Sequence, residues 1–80
     1  MKVAAVQHDV VWEDRDANHA HLAGMVAEAA DRGANLVVLT EMFPTGFSLA
    51  TDLIVEPPDG PSVEWLCEQS ARHGCWTAGS

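Results

Sequence analysis

The sequence predicts an α/β fold in the order β-α-β-α-β around a parallel sheet, and three observations carry that prediction. Two short apolar runs, Val3-Ala4-Ala5-Val6 and Leu36-Val37-Val38-Leu39, are bounded by polar and turn residues, as the strands of a buried parallel sheet are. Between them Leu22, Met25, Val26 and Ala29 fall on one helical stripe, in a segment long enough for the crossover that parallel strands require. A second helical pattern and a third apolar run, Cys75 to Ala78, repeat the alternation.

The first strand is expected over Lys2 to Gln7, with a loop from His8 to Asp14 behind it. Asp14 suits the N-cap of the first helix, and Asp16 complements the positive end of its dipole. Gly33 suits the position just past its end. The second strand, Asn35 to Thr40, then lies parallel to the first with a right-handed crossover. It stops on Glu41, followed by the turn-forming stretch Met42-Phe43-Pro44-Thr45-Gly46-Phe47-Ser48. A connection without periodicity runs from there to Glu56-Pro57-Pro58-Asp59-Gly60-Pro61, and loops that long inside a compact domain are usually functional. Pro61 suits the first turn of the second helix, which continues through Val63, Leu66, Cys67, Ser70 and Ala71 to a stop at Gly74.

With 80 residues the chain is one small domain, and its net charge of −8 bounds its partners. Four basic residues, Lys2, Arg15, Arg32 and Arg72, cannot form a patch that tracks phosphates, so nucleic acid and anionic membranes are excluded as partners. No apolar run approaches the roughly 20 residues of a membrane-spanning helix. The apolar part of Met1 to Gln7 is too short for a signal peptide, so a cytoplasmic location is expected. Cys67 and Cys75 lack partners at metal-binding spacing and are expected to be reduced, small core residues. Nothing after the third strand closes the sheet, which reads as the N-terminal part of something longer.

Open parallel sheets bind ligands beyond the carboxyl ends of their strands, and Glu41 and Gln7-His8 fall there. A carboxylate ending an apolar strand is either a structural anchor or a working acid/base, because burying it unpaired is costly. Phe43 and Phe47 are either core plugs under the turn or walls of a substrate pocket. The segment after the first strand contains no glycine, which disfavours a dinucleotide or P-loop site. His19 and His21, two apart and off the apolar stripe, read as solvated surface residues. His73 complements the end of the second helix, and His8 is the histidine retained as a pocket residue. His8 and Asp9 have no third ligand, so no metal and no cofactor are assigned.

In this order and spacing the residues resemble the start of the nitrilase, or carbon–nitrogen hydrolase, superfamily across essentially the whole chain. The resemblance rests on Val3-Ala4-Ala5-Val6-Gln7, on Asn18, and on Ala30 with Gly33-Ala34-Asn35-Leu36-Val37-Val38-Leu39 leading into Glu41. It closes on a helix and a strand ending at Gly79-Ser80, and Glu41-Met42-Phe43-Pro44-Thr45-Gly46-Phe47 looks like the ω-amidase type. Thr40 departs from it, since the family usually places proline there.

The resemblance implies that residues 1–80 are the N-terminal β-α-β-α-β part of an α-β-β-α sandwich with a Glu-Lys-Cys triad. Its substrate would be a small-molecule amide, and full-length members commonly form homo-oligomers. Glu41 matches the general base; Lys2, Cys67 and Cys75 match neither of the other two members. The partners matter because transfer of a proton from a thiol to a glutamate is uphill by roughly 4 pKa units, about 5.5 kcal/mol. A desolvated glutamate narrows that gap from one side, and a lysine that stabilises thiolate narrows it from the other. The 80 residues alone are therefore expected to lack amidase activity. The alternative is a non-catalytic α/β interaction module in which Glu41 is structural.

Overall fold

The computed structural model describes residues 1–80, the side chain of Leu53 excepted. Its described elements are β1 (Val3–Ala5), α1 (Arg15–Asp31), β2 (Leu36–Val38), α2 (Thr51–Ile54), α3 (Pro61–His73) and β3 (Trp76–Ala78). The expected α/β architecture is the one observed, with the short helix α2 added inside the long connection.

The strands form one parallel sheet in the order β1-β2-β3, with Val3, Leu36 and Trp76 in one row and Ala5, Val38 and Ala78 in another. They are shorter than the apolar runs suggest, yet the hydrogen bonding runs past their ends. Val6 N–H donates to the Val38 carbonyl at 2.9 Å, and Leu39 N–H to the Ala78 carbonyl at 2.8 Å. The apolar pattern thus locates each strand to within one or two residues, the ordinary uncertainty of a strand end.

Helix α1 starts as its sequence dictates, with the Asp14 carboxylate accepting from Ala17 N–H at 3.0 Å. Leu22 and Val26 are fully buried, and Met25 and Ala29 pack against them. Burial of each of the first two contributes about 1.5–3 kcal/mol. Helix α3 begins with Pro61 in its first turn and ends at Gly74 in the left-handed region, φ 64°. Its Trp65 belongs to the same core as Leu22, Val26, Val37, Leu39 and Phe43.

Both long helices lie on the same side of the sheet. Side chains alternate along a strand, so Ala4, Val37 and Thr77 share one face; Ala4 and Val37 join the core, and the Thr77 hydroxyl bonds to the Leu66 carbonyl of α3 at 3.1 Å. The opposite face carries Val3, Ala5, Leu36, Val38, Trp76 and Ala78, all apolar, with Trp76 73% exposed. The expectation that the second strand is buried on both faces is therefore corrected: in this chain β2 is covered on one face only. Cys75 is buried and free as expected, whereas Cys67, also free, lies exposed on α3. The helical spacing that placed Cys67 beside the apolar stripe did not distinguish the stripe's centre from its solvent margin.

Candidate active site

Glu41 stands at the exit of the central strand, the first residue of a turn that runs to Thr45. It is exposed in this chain and makes no ion pair or side-chain hydrogen bond among the described residues. The carboxylate is thus neither buried nor partnered, unlike the desolvated glutamate that the apolar strand before it suggests. β2 ends at Val38, and Leu39 and Thr40 separate its last ladder position from the turn, so Glu41 lies beyond the covered part of the strand.

The turn itself is firmly held. Met42 adopts φ 56°, a left-handed conformation that costs a non-glycine residue about 1–2 kcal/mol. Gly46 N–H closes the turn onto the Met42 carbonyl at 2.8 Å. Gly46 also has a left-handed φ, and a Cβ there would sit 3.0 Å from the Trp12 ring. Phe43 is 1% exposed and meets Trp65 and His19 at ring-centroid distances of 5.8 and 6.3 Å. Gly79 leaves room for it, because a Cβ at that position would come within 2.7 Å of the Phe43 ring. Phe47 is 67% exposed. The two phenylalanines therefore part company: Phe43 anchors the turn from the core, and Phe47 faces solvent.

The first turn of α1 and the loop before it clamp the same turn from the other side. The Asn18 carboxamide donates to the Pro44 carbonyl at 2.6 Å, and Glu13 N–H donates to the Thr45 carbonyl at 2.9 Å. The Ser48 hydroxyl donates to the Glu13 carboxylate. Of these residues the sequence singled out only Asn18, and only by resemblance. The readable signal was a polar residue at the i−4 position of the buried Leu22, on the core side of an amphipathic helix.

The histidines divide differently from the expectation. His21 is exposed, but His19 stacks on Trp65 at 5.0 Å and is half-buried between α1 and α3, not a solvated surface residue. The apolar stripe marks where α1 meets the sheet; His19 marks where it meets α3. His8 is half-buried, and both of its ring nitrogens are buried without a hydrogen-bond partner. Burial pushes its pKa below the ordinary 6.5, and His21, 6.1 Å away, pushes the same way. The backbone of Phe43 and the charge of Asp9 oppose the shift. The Thr40 hydroxyl is likewise buried and unpaired, at the position where the resembled family has proline.

A second polar cluster joins the long connection to both helices. Glu56 accepts from Ser62 N–H and Ser62 hydroxyl, each at 2.6 Å, and pairs with the Arg15 guanidinium at 2.8 Å. His19 Nε2 lies 3.0 Å from the same hydroxyl. Serine, histidine and glutamate side by side invite comparison with a hydrolytic triad, but the polarity is wrong. The single hydroxyl proton goes to Glu56, so His19 donates to Ser62 and is not placed to deprotonate it. The cluster fastens the 49–60 connection to α1.

These groups set an acid sensitivity. Burial raises the Glu56 pKa, but the two Ser62 bonds and Arg15 outweigh it and hold the carboxyl below its ordinary 4.5. Burial also lowers His19, against the charges of Glu56 and Asp16. In His8, His19 and Glu56 alike the unfolded chain takes up protons before the folded chain does, so stability is complete at high pH and is lost as pH falls. The urea midpoint is expected to decline from about pH 6.5 downward as His8 and His19 of the unfolded chain protonate, and again below about 4.5 through Glu56. A midpoint constant from pH 8 to pH 4 would contradict this.

No group of three metal-ligating side chains gathers among the described residues, and no helix is long and apolar enough to cross a membrane. A cavity of about 350 Å³ opens between β1 and the second half of α1, lined by Lys2, Ala5, Met25, Glu28 and Arg32 among others. It includes no residue of the Glu41 turn and is not the candidate site.

Residues 2–80 match the model of the family described as carbon-nitrogen hydrolase. A protein named nitrilase from Pyrococcus abyssi is 30% identical over 95% of this chain, which spans 31% of that protein's length. A crystal structure of a CN-hydrolase superfamily protein from Xanthomonas campestris, with an arsenic adduct in its active site, superposes on 98% of this chain. The TM-score is 0.87 at 33% identity, and the chain spans 29% of that protein.

Proposed function

The chain belongs to the carbon–nitrogen hydrolase family, and on that premise we propose that it carries the general base, Glu41, of a cytoplasmic amide hydrolase of the ω-amidase kind. The observation that carries this reading is the contrast between Glu41 and its surroundings. A structural anchor would have a partner; Glu41 has none among the described residues, yet the turn that presents it is held, against the strain at Met42, by hydrogen bonds from Gly46, Asn18 and Glu13.

In the proposed chemistry a cysteine thiol gives its proton to Glu41 as its sulfur attacks the amide carbon. The carbon–nitrogen bond then breaks, with Glu41 returning the proton to the departing ammonia. Water attacks the resulting thioester, again losing a proton to Glu41, and the acid and thiol are released. A lysine stabilises the thiolate and the tetrahedral oxyanion. The lysine and cysteine belong to polypeptide outside these 80 residues. The uncovered apolar sheet face supports a second layer over β1-β2-β3, since parallel sheets are covered on both faces.

The ω-amidase assignment rests on Glu41-Met42-Phe43-Pro44-Thr45-Gly46-Phe47, and its substrate would be a small ω-monoamide of a dicarboxylic or keto acid. Phe47 is the exposed apolar group nearest in sequence to receive it. Phe43 would act from within the core by holding the turn. The test is ammonia release from such monoamides by the full-length polypeptide and by the 80-residue chain separately. Activity is expected in the first and none in the second, and hydrolysis by the short chain alone would overturn the division of the site.

A further inference from the structure

Asn18 is 0% exposed, and its carboxamide is engaged on both sides. Its oxygen accepts from Val11 N–H at 2.8 Å. Its nitrogen has two hydrogens and faces three carbonyls, those of Pro44 at 2.6 Å, Val11 at 2.7 Å and Asp14 at 2.9 Å; the two shorter contacts take the hydrogens, and the Asp14 carbonyl already accepts from the Asn18 backbone N–H. One side chain thus joins three segments: the loop after β1, the first turn of α1, and the turn that begins at Glu41. Only a carboxamide offers this combination of donor and acceptor. A carboxylate would set oxygen against three carbonyl oxygens, and an alkyl group would leave the buried Pro44 carbonyl without a donor.

We propose that Asn18 is a positioning residue for Glu41, acting through the Pro44 carbonyl, with the Glu13–Ser48 hydrogen bond as its outer counterpart. The proposal rests on the reading of Glu41 as general base. Glu41 lies beyond the sheet's hydrogen bonds, so the strand does not fix it from behind. From ahead, the chain is fixed at Met42 by the Gly46 bond, at Phe43 by the core, and at Pro44 by Asn18. Asn18 is itself rigid: it sits one helical turn before Leu22, which is fully buried. It gives Glu41 a reference point on α1, the longest element of the fold. Displacement of a catalytic group by about 1 Å can cost roughly 10²-fold in rate, so such a tether has a kinetic consequence separate from its effect on stability.

The experiment uses the full-length amidase, with a small ω-monoamide as substrate, and the variants Asn18→Ala, Glu41→Gln and their double. Among folded molecules, verified by circular dichroism, Asn18→Ala is expected to lower kcat by about 10²-fold and leave KM within about twofold. It should also shift the acid limb of the kcat/KM profile. The double variant should be scarcely slower than Glu41→Gln alone, since a misplaced glutamine loses nothing more. A purely structural role would instead reduce both backgrounds by the same factor. Folded Asn18→Ala with undiminished kcat, or effects that multiply in the double variant, would overturn the proposal. Where Asn18→Ala does not fold, Ser48→Ala releases the outer hydrogen bond to Glu13, together with the one its hydroxyl accepts from Ala50 N–H, and should show the same pattern at a smaller size; an unchanged kcat there overturns it equally. Full activity in Glu41→Gln would overturn the reading of Glu41 itself, an outcome distinguishable from the others.

Discussion

Replacing Glu41 by Gln is expected to reduce amide hydrolysis by the full-length polypeptide by about 10²- to 10⁴-fold, the usual contribution of a positioned general base. The same substitution should leave the stability of the 80-residue chain within about 0.5 kcal/mol, because the side chain is exposed and has no partner to lose. Glutamine keeps the shape and takes up no proton, so the loss isolates proton transfer from packing. The two measurements separate the competing readings. A structural Glu41 would show the reverse, with stability falling in urea titrations and any association retained. Loss of rate without loss of stability belongs to the base alone.

Much of this arrangement was legible in the residues, for reasons that differ from element to element. Helix α1 is readable because three independent signals coincide: Asp14 at the cap, the Leu22-Val26 stripe, and Gly33 past the end. Helix α3 is readable through Pro61 and Gly74, whose backbone preferences act locally. Helix α2 was not, since four residues are too few for periodicity to register. The position of Glu41 at a strand exit follows from the apolar run before it, but its exposure does not, because exposure depends on what covers the sheet. His19 was misplaced for a related reason. Hydropathy reports the face of α1 that meets the sheet, whereas stacking on Trp65 depends on how α3 lies beside it. The Asn18 clamp was legible only as resemblance, since its partners are backbone atoms 26 and seven residues away. Sequence pattern carries no record of carbonyl groups.

Phe43 and Phe47 supply the sharpest contrast in the chain, two identical side chains four residues apart, one within the turn and one just past it. Phe43→Ala is expected to destabilise the chain by about 3–5 kcal/mol, the range for a large aromatic deleted from a packed core. A small domain has only about 5–15 kcal/mol in total, so the urea midpoint should collapse and much of the chain should be unfolded at 37 °C. The loss should be accompanied by release of the Glu41 turn, because Phe43 is the only side chain of that turn fully buried against Trp65 and His19. Phe47→Ala should change stability by no more than about 0.5 kcal/mol. If Phe47 forms a pocket wall in the full-length enzyme, its removal should raise KM for the monoamide by about tenfold, equivalent to ~1.4 kcal/mol of lost contact. An unchanged KM would remove Phe47 from the site and leave Phe43 as the aromatic with a function, that of holding the Glu41 turn against the core. A stable Phe43→Ala chain would mean that the turn is fixed by its hydrogen bonds alone, which places the full burden of orienting Glu41 on Asn18 and Glu13.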